Sequence, residues 1–380
     1  MAVARTLAVL AAVSALLAGC SQHAAKPNAA NVTAPTAVPP TPNCGDPTTL
    51  ATRDKLAQLL MVGVKNADDA RAVVANYHVG GIFIGSWTDL SIFDGPLKEI
   101  TANPGLLPLA VSVDEEGGRV SRLKSRIGTA PSPKQLAQTQ TPDQVYDLAR
   151  QRGQAMKNLG ITVDFAPVVD VTDEPDDAVI GDRSFGSDPA TVTRYAEAYA
   201  RGLRDAAVLP VLKHFPGHGH GSGDSHTGFV TTPSLSQLQT NDLVPYRTLV
   251  AQRPVAVMVG HLQVPDLTGN DPASLSKAAV DLLRTGTGYN APPFDGPVFS
   301  DDLSSMAAIS DRYGVSDAVL KALQAGIDVA LWVTTDEVPA VLDKLDKALA
   351  AGQLKMDDIN ASVLRVAGFK GHSPKCGPSP

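Results

Sequence analysis

The densest concentration of reactive side chains runs from Lys213 to His226, in the order Lys-His-Phe-Pro-Gly-His-Gly-His-Gly-Ser-Gly-Asp-Ser-His. Half of the chain's 8 histidines lie in this one stretch, interleaved with glycine. His214, His218, His220, Asp224 and His226 offer the ligand types of a zinc site. The same string also reads as a mobile catalytic loop, in which Asp224 fixes the tautomer of His226 and raises its basicity. A solvated Gly/His turn is the bland alternative, weakened because the loop leaves an apolar run of strand type. A second candidate is Asp301-Asp302, directly after the apolar run 297–300. Such a residue can attack an electrophile or merely cap the next helix. Strand alternation turns neighbours to opposite faces, so we expect Asp301 to point inward and Asp302 to cap.

Eight short apolar runs can position these groups: 59–64, 79–84, 107–113, 161–169, 209–214, 255–260, 297–300 and 327–333. Most are continuous rather than alternating, as strands buried on both faces should be. Helical patterns lie between them, among them 143–159, 189–206, 236–251, 304–325 and 337–350, with Asp68, Thr141, Ser234 and Asp302 as expected N-caps. This order predicts an α/β fold, a single (β/α)8 barrel. An open doubly wound sheet is the alternative, but the Gly-rich dinucleotide fingerprint after the first strand is missing. Asp114 ends the third run, Asp170 follows the fourth, Lys213 and His214 end the fifth, His261 the sixth and Asp301 the seventh. Barrel enzymes build their sites at those strand ends.

The spaced string from Lys213 to Gly219, then Asp224-Ser225-His226, resembles the signature of the β-N-acetylhexosaminidase branch of glycoside hydrolase family 3. Asp114-Glu115-Glu116-Gly117-Gly118-Arg119-Val120-Ser121-Arg122 is similar to that family's substrate-binding loop after strand 3, and Arg183-Ser184-Phe185-Gly186 to its Arg-Ser-Phe turn. Ser300-Asp301-Asp302-Leu303 falls where the family places its nucleophile. The resemblance implies that Asp301 forms a covalent glycosyl intermediate and that His226, assisted by Asp224, is the acid/base. Asp114 would bind sugar hydroxyls. Arg122, Arg183, Lys213 and His214 would contact the sugar and its N-acetyl side. No cofactor or metal is implied. Glu115 stands where the family commonly has Gln, which puts an extra negative charge near the expected site.

Formal net charge is -7 and no Lys/Arg run stands out, which argues against a nucleic-acid partner. Aromatic residues make up 5% of the chain, so a sugar site is expected to lean on polar contacts. Residues 1–19 read as a signal peptide: Arg5 precedes the apolar run 7–17, which ends Leu17-Ala18-Gly19-Cys20. Small residues before a cysteine resemble a bacterial lipobox, so Cys20 is the expected lipidation site and the protein is expected at the membrane's extracytoplasmic face. Residues 20–48 are rich in Ala, Pro and Thr and read as a disordered tether; 49–372 form the expected barrel and 373–380 a tail. Cys44 and Cys376 flank the barrel and are a candidate disulfide.

Two features compete for attention without carrying the function. Ser274-Leu275-Ser276-Lys277 matches the Ser-x-x-Lys of penicillin-binding enzymes but reads better as a helix start. Trp332 could stack on a sugar or close the barrel. The expected function is a retaining exo-β-N-acetylglucosaminidase acting on peptidoglycan-derived glycans. The alternatives are a β-glucosidase-type enzyme on the same fold, a metal-dependent hydrolase using the His loop, or a non-catalytic sugar-binding lipoprotein.

Overall fold

The computed structural model describes residues 45–102 and 107–371. Cys20, Cys44 and Cys376 lie outside the described residues, as does most of the tether. The apolar runs become eight parallel strands: β1 Leu60–Gly63, β2 Gly81–Ile84, β3 Ala110–Val113, β4 Val163–Asp164, β5 Leu209–Phe215, β6 Ala256–Val259, β7 Val298–Ser300 and β8 Ala330–Trp332. Neighbours pair in chain order, and β1 returns to pair with β8 through Leu60 and Ala330. A bridge between Phe299 and Val329 joins β7 to β8 and closes the barrel. The (β/α)8 barrel expected from the sequence is the fold.

Closure gives every strand two buried faces, which is why the runs are continuously apolar. Phe83, Phe165 and Phe299 come from non-adjacent staves yet touch, with ring centroids 5.7 and 5.6 Å apart. They can meet only through the barrel interior. Trp332 is fully buried and lies between Leu331 and Val333, which line the cavity while it does not, so it packs in the core rather than stacking on a ligand.

Around the barrel the helices follow the sequence pattern with three corrections. The patterns at 236–251 and 304–325 are each broken, into Leu235–Thr240 with Tyr246–Leu249, and into Ala307–Ser310 with Val315–Ala325. Pro245 and Gly314 stand at those breaks, where Pro supplies no N–H and Gly weakens a helix interior. The helix Ala67–Tyr77 is capped by Asn66, whose side chain accepts from the N–H groups of Asp68 and Asp69, rather than by Asp68. Thr141 does cap Pro142–Leu159 in a capping box with Gln144. Ser276 precedes the helix Lys277–Thr285, so the Ser-x-x-Lys match is a helix start. No helix among the described residues is long and apolar enough to cross a membrane.

The loop after β3 folds into a small hairpin, Glu115–Gly117 against Val120–Ser121. Glu115 faces away from the barrel mouth and is fully buried. Its carboxylate accepts from the Ser121 hydroxyl at 2.6 Å and from the N–H groups of Arg122 and Leu123 at 2.8 Å each. Arg152 closes the arrangement at 2.5 Å. The charge expected near the site is therefore spent holding the hairpin. Removing one partner of a buried pair strands the other. Arg152→Ala should lower unfolding free energy by about 3–5 kcal/mol in chemical denaturation; a loss below about 1 kcal/mol would show that the pair does not matter.

Candidate active site

A cavity of about 280 Å³ opens at the C-terminal ends of the strands. Its wall includes Asp114, Arg122, Arg183, Lys213, His214, His226 and Asp301. Apart from Asp224, which reaches it through His226, every residue to which the family resemblance gave a catalytic or sugar-binding role lies on this one surface. Strand alternation sorts the acids of the β3 loop: Asp114 and Glu116 line the cavity, and Glu115 between them does not.

The floor is an ionic cluster. Lys213, at the end of β5, donates to Asp114 Oδ1 at 2.6 Å and lies 2.7 Å from Glu116 Oε1. Arg183 approaches Glu116 with two donors, Nε and Nη2, at 2.8 Å each. Burial alone would raise the Glu116 carboxyl, but Arg183 and Lys213 overcome it and hold the group well below the usual carboxylate range. Burial likewise works against the charged Lys213, and Asp114 and Glu116 reverse the effect, so its ammonium is held above its ordinary value. Arg122 also lines the cavity, and its buried Nε has no hydrogen-bond partner.

His214 is oriented by a residue that sequence reasoning left without a role. Asp170 Oδ2 lies 2.7 Å from His214 Nδ1, and Asp170 Oδ1 accepts from the N–H groups of His214 and His218 at 3.1 and 2.8 Å. Burial would push the Asp170 carboxyl up, but His214 and His218 keep it below its ordinary value. An acid directly after the fourth apolar run was the available signal.

Asp301 begins where β7 ends. Its carboxylate accepts from the Asp302 N–H at 2.9 Å. Burial would raise it, yet His261, His214, that N–H and Lys213 together bring its pKa down to about 2. Asp302 is engaged differently. It accepts from the Ser304 N–H and hydroxyl at 2.8 Å each and from the Ser305 N–H at 3.1 Å, with a further bond from the Ser305 hydroxyl. It therefore pins a turn; the helix expected to start there begins only at Ala307. His261 stands behind both aspartates, and its Nε2 must donate to the Asp302 carbonyl oxygen at 2.6 Å, because a carbonyl only accepts. Burial depresses its pKa. Its Nδ1 lies 2.7 Å from the Ser274 hydroxyl.

The histidine-rich loop has two halves. The first is packed: a Cβ on Gly219 would come 1.9 Å from the Val171 carbonyl oxygen, so this glycine serves close approach rather than mobility. The second half, around Ser222 to His226, is largely exposed. His226 Nδ1 lies 2.8 Å from Asp224 Oδ1, which also accepts the His226 N–H at 2.9 Å. Burial acts to raise Asp224, but these bonds to His226 keep its pKa lowered. The loop is stitched to the segment after Asp301: the Ala307 N–H donates to the His226 carbonyl at 3.3 Å and the Ala308 N–H to that of Ser225 at 3.2 Å. The loop's other donors diverge, with His220 turned toward Asp242 and Asp173 at 3.8 and 3.6 Å. Among the described residues no three His, Cys, Asp or Glu side chains converge to hold a metal ion.

Aromatic side chains contribute more than the composition suggested. Phe83, Trp87 and Phe165 all line the cavity. The arrangement supplies an ionised carboxylate, a carboxylate-supported histidine and a fixed polar floor, which are the parts needed to cleave a glycosidic bond.

Residues 51–369 match the family model described as the glycosyl hydrolase family 3 N-terminal domain. The chain is 70% identical, over 99% of its own length and 100% of the relative's, to the β-hexosaminidase LpqI of Mycobacterium tuberculosis. A solved structure of M. tuberculosis LpqI superposes with a TM-score of 0.86 at 73% identity, covering 88% of this chain and 98% of that one. A family 3 β-N-acetylglucosaminidase from Paenibacillus superposes with a TM-score of 0.78 at 34% identity, covering 85% and 62%. The barrel that carries this cavity thus belongs to glycosyl hydrolase family 3, and the chain is a glycoside hydrolase.

Proposed function

We propose that this glycoside hydrolase is a β-hexosaminidase: a retaining, exo-acting β-N-acetylglucosaminidase that uses Asp301 as nucleophile and His226, supported by Asp224, as acid and then base. The observation that carries the reading is a single cavity shared by an ionised Asp301, a histidine backed by its own carboxylate, and the floor of Lys213, Asp114, Glu116 and Arg183. In the first step an Asp301 oxygen bonds to the anomeric carbon, the glycosidic C–O bond breaks, and His226 gives its proton to the departing oxygen. In the second, water attacks the same carbon, His226 takes the water's proton, and Asp301 leaves as a carboxylate. Asp224 stabilises the protonated ring at the start and at the end. The competing route has the substrate's acetamido oxygen attack, steered by an acidic pair. Asp302 is a poor partner for that, because both its oxygens are engaged by Ser304 and Ser305.

A slow 5-fluoro glycosyl fluoride of N-acetylglucosamine should label the enzyme as a sugar ester, and peptide mapping should place the ester on Asp301. Labelling should persist under thorough chelation; a loss that zinc alone restores would move the reading to a metal hydrolase. His226→Gly should slow substrates with poor leaving groups by about a hundredfold or more while sparing activated aryl glycosides. Equal damage to both substrate types, or an ester elsewhere, would overturn these roles.

A pH dependence follows from the charge around Asp301. A glycosyl fluoride departs without a proton, so only the nucleophile's ionisation should limit its attack. With Asp301 held at about 2, the glycosylation rate in brief pH-jump assays should stay flat from neutral pH down to within about one unit of that value. An acid limb near the ordinary carboxyl value of about 4 would mean that the histidines and Lys213 do not hold it ionised.

The proposed setting is the cell envelope, with a glycan or released fragment of peptidoglycan as substrate and a lipid on Cys20 as anchor. The stretch Leu17-Ala18-Gly19-Cys20 supports the anchor, and an exported glucosaminidase meets the β-linked N-acetylglucosamine of the wall. The Cys44–Cys376 bridge belongs to the same proposal, since exported thiols meet oxidising conditions. Cys20→Ala should abolish metabolic labelling by a fatty acid and shift the protein from the membrane to the soluble fraction with its glycosidase activity retained; unchanged labelling would remove the anchor.

A further inference from the structure

Among the described residues three large apolar side chains are exposed: Trp87 at 45%, Phe229 at 48% and Leu364 at 37%. Of these, Trp87 alone lines the catalytic cavity. Exposed tryptophan is costly to leave in water without use. This one is also built into place. Thr88 accepts from the Gly85 N–H at 3.0 Å and donates to the Val64 carbonyl at 2.7 Å, which ties the turn after β2 to the end of β1. The Asp89 N–H adds a bond to the Lys65 carbonyl at 2.9 Å. The indole rests directly on Gly85, where a Cβ would fall 2.3–2.5 Å from three ring atoms. Phe83 flanks it at 5.9 Å and continues into the aromatic stack of the barrel interior. A glycine seat, a pinned turn and an aromatic neighbour hold the ring as a rigid plate at the cavity rim.

The position of the proposed acid decides what that plate meets. The polar cluster of Lys213, Asp114, Glu116 and Arg183 lies at the floor and suits the hydroxyls of the terminal sugar. His226, 62% exposed, stands at the mouth. An acid must touch the departing oxygen, so the unit beyond that oxygen lies at the mouth as well. A pyranose presents an axial C–H face that is apolar and faintly positive, matched to the negative face of an aromatic ring. We propose that Trp87 is the platform for the leaving-group sugar, and so the residue that makes the enzyme prefer a glycan over a substrate with a minimal leaving group. The proposal rests on the retaining glucosaminidase reading and deepens it.

The test compares kcat/KM for two substrates that share the terminal sugar: a β-1,4-linked disaccharide ending in N-acetylglucosamine, and the β-fluoride of N-acetylglucosamine, whose leaving group is one atom. Trp87→Ala should lower the disaccharide-to-fluoride ratio about tenfold, chiefly through KM, and Trp87→Phe should restore most of it. Trp87→Leu, which fills the seat without an aromatic face, should behave like Trp87→Ala and stands in for it if the smaller residue unfolds the turn. A ratio that stays constant, whether both substrates fall together or neither falls, would overturn the assignment. Failure of the wild-type enzyme to turn over the fluoride would instead count against the glucosaminidase reading on which the proposal rests, leaving the two readings separable.

Discussion

Lys213 carries its ammonium into the barrel mouth, almost wholly shielded from water, and places it 2.6 Å from Asp114 and 2.7 Å from Glu116. Taking such charges out of water costs several kcal/mol each, and their attraction offsets this only when the geometry is right. Three loops must therefore agree. The end of β5 supplies the lysine, the hairpin after β3 supplies both acids, and the turn at Arg183 supplies the fork that completes Glu116. A shift of one residue in the β3 loop would aim Glu115 at the cavity and bury Glu116 against Arg152, exchanging both partners at once. The cluster is better understood as a device that fixes register than as a source of stability. The hairpin's own pair, Glu115 with Arg152, enforces the same choice from the opposite face.

The positive charge assembled at the floor also determines what Asp301 can be. A buried carboxyl left alone would take up a proton and lose its nucleophilicity. Here His261, His214, the Asp302 N–H and Lys213 outweigh burial, so the group stays ionised. The acid/base role proposed for His226 has the opposite requirement, since a group that gives a proton and takes one back needs access to both water and the departing oxygen. His226 is accordingly on the exposed half of its loop. Its bonds to Asp224 and the stitching of the loop to Ala307 and Ala308 keep it over the cavity rather than adrift.

The barrel was legible because its strands are buried on both faces, and that condition writes itself as continuous apolar runs. All eight appeared within a few residues of their observed bounds. The residues at strand ends were legible for the same reason: polar side chains directly after such runs gather around the C-terminal ends of the strands. Helix breaks were less visible, because the apolar pattern persists across Pro245 and Gly314 while the backbone does not. The roles of Glu115 and Glu116 were hidden for another reason. Alternation could have sorted them, but their cations stand 37 and 67 residues further along the chain, at Arg152 and Arg183, and only the closed barrel brings them together. Glycines in the histidine loop suggested motion. In the folded chain Gly219 instead lets the loop pass against Val171, which sequence spacing does not reveal.

The aromatic content misled most instructively. A low fraction of Phe, Tyr and Trp says little about a cavity that needs only three of them. Phe165 and Phe83 are core residues of the barrel stack whose edges happen to reach the mouth, so the scaffold itself furnishes the apolar wall. Trp87 then extends that wall outward at the cost of one exposed side chain. On the proposed reading, a rigid floor that would recognise hydroxyls, a rigid rim that offers an apolar plate, and a histidine-bearing loop between them divide the work by depth. Ionic contacts sit where water is excluded and direction matters, and apolar contact sits where water remains and hydrogen bonds would gain little. The order of these layers follows from the dielectric gradient along the cavity, which the barrel sets simply by being closed at one end and open at the other.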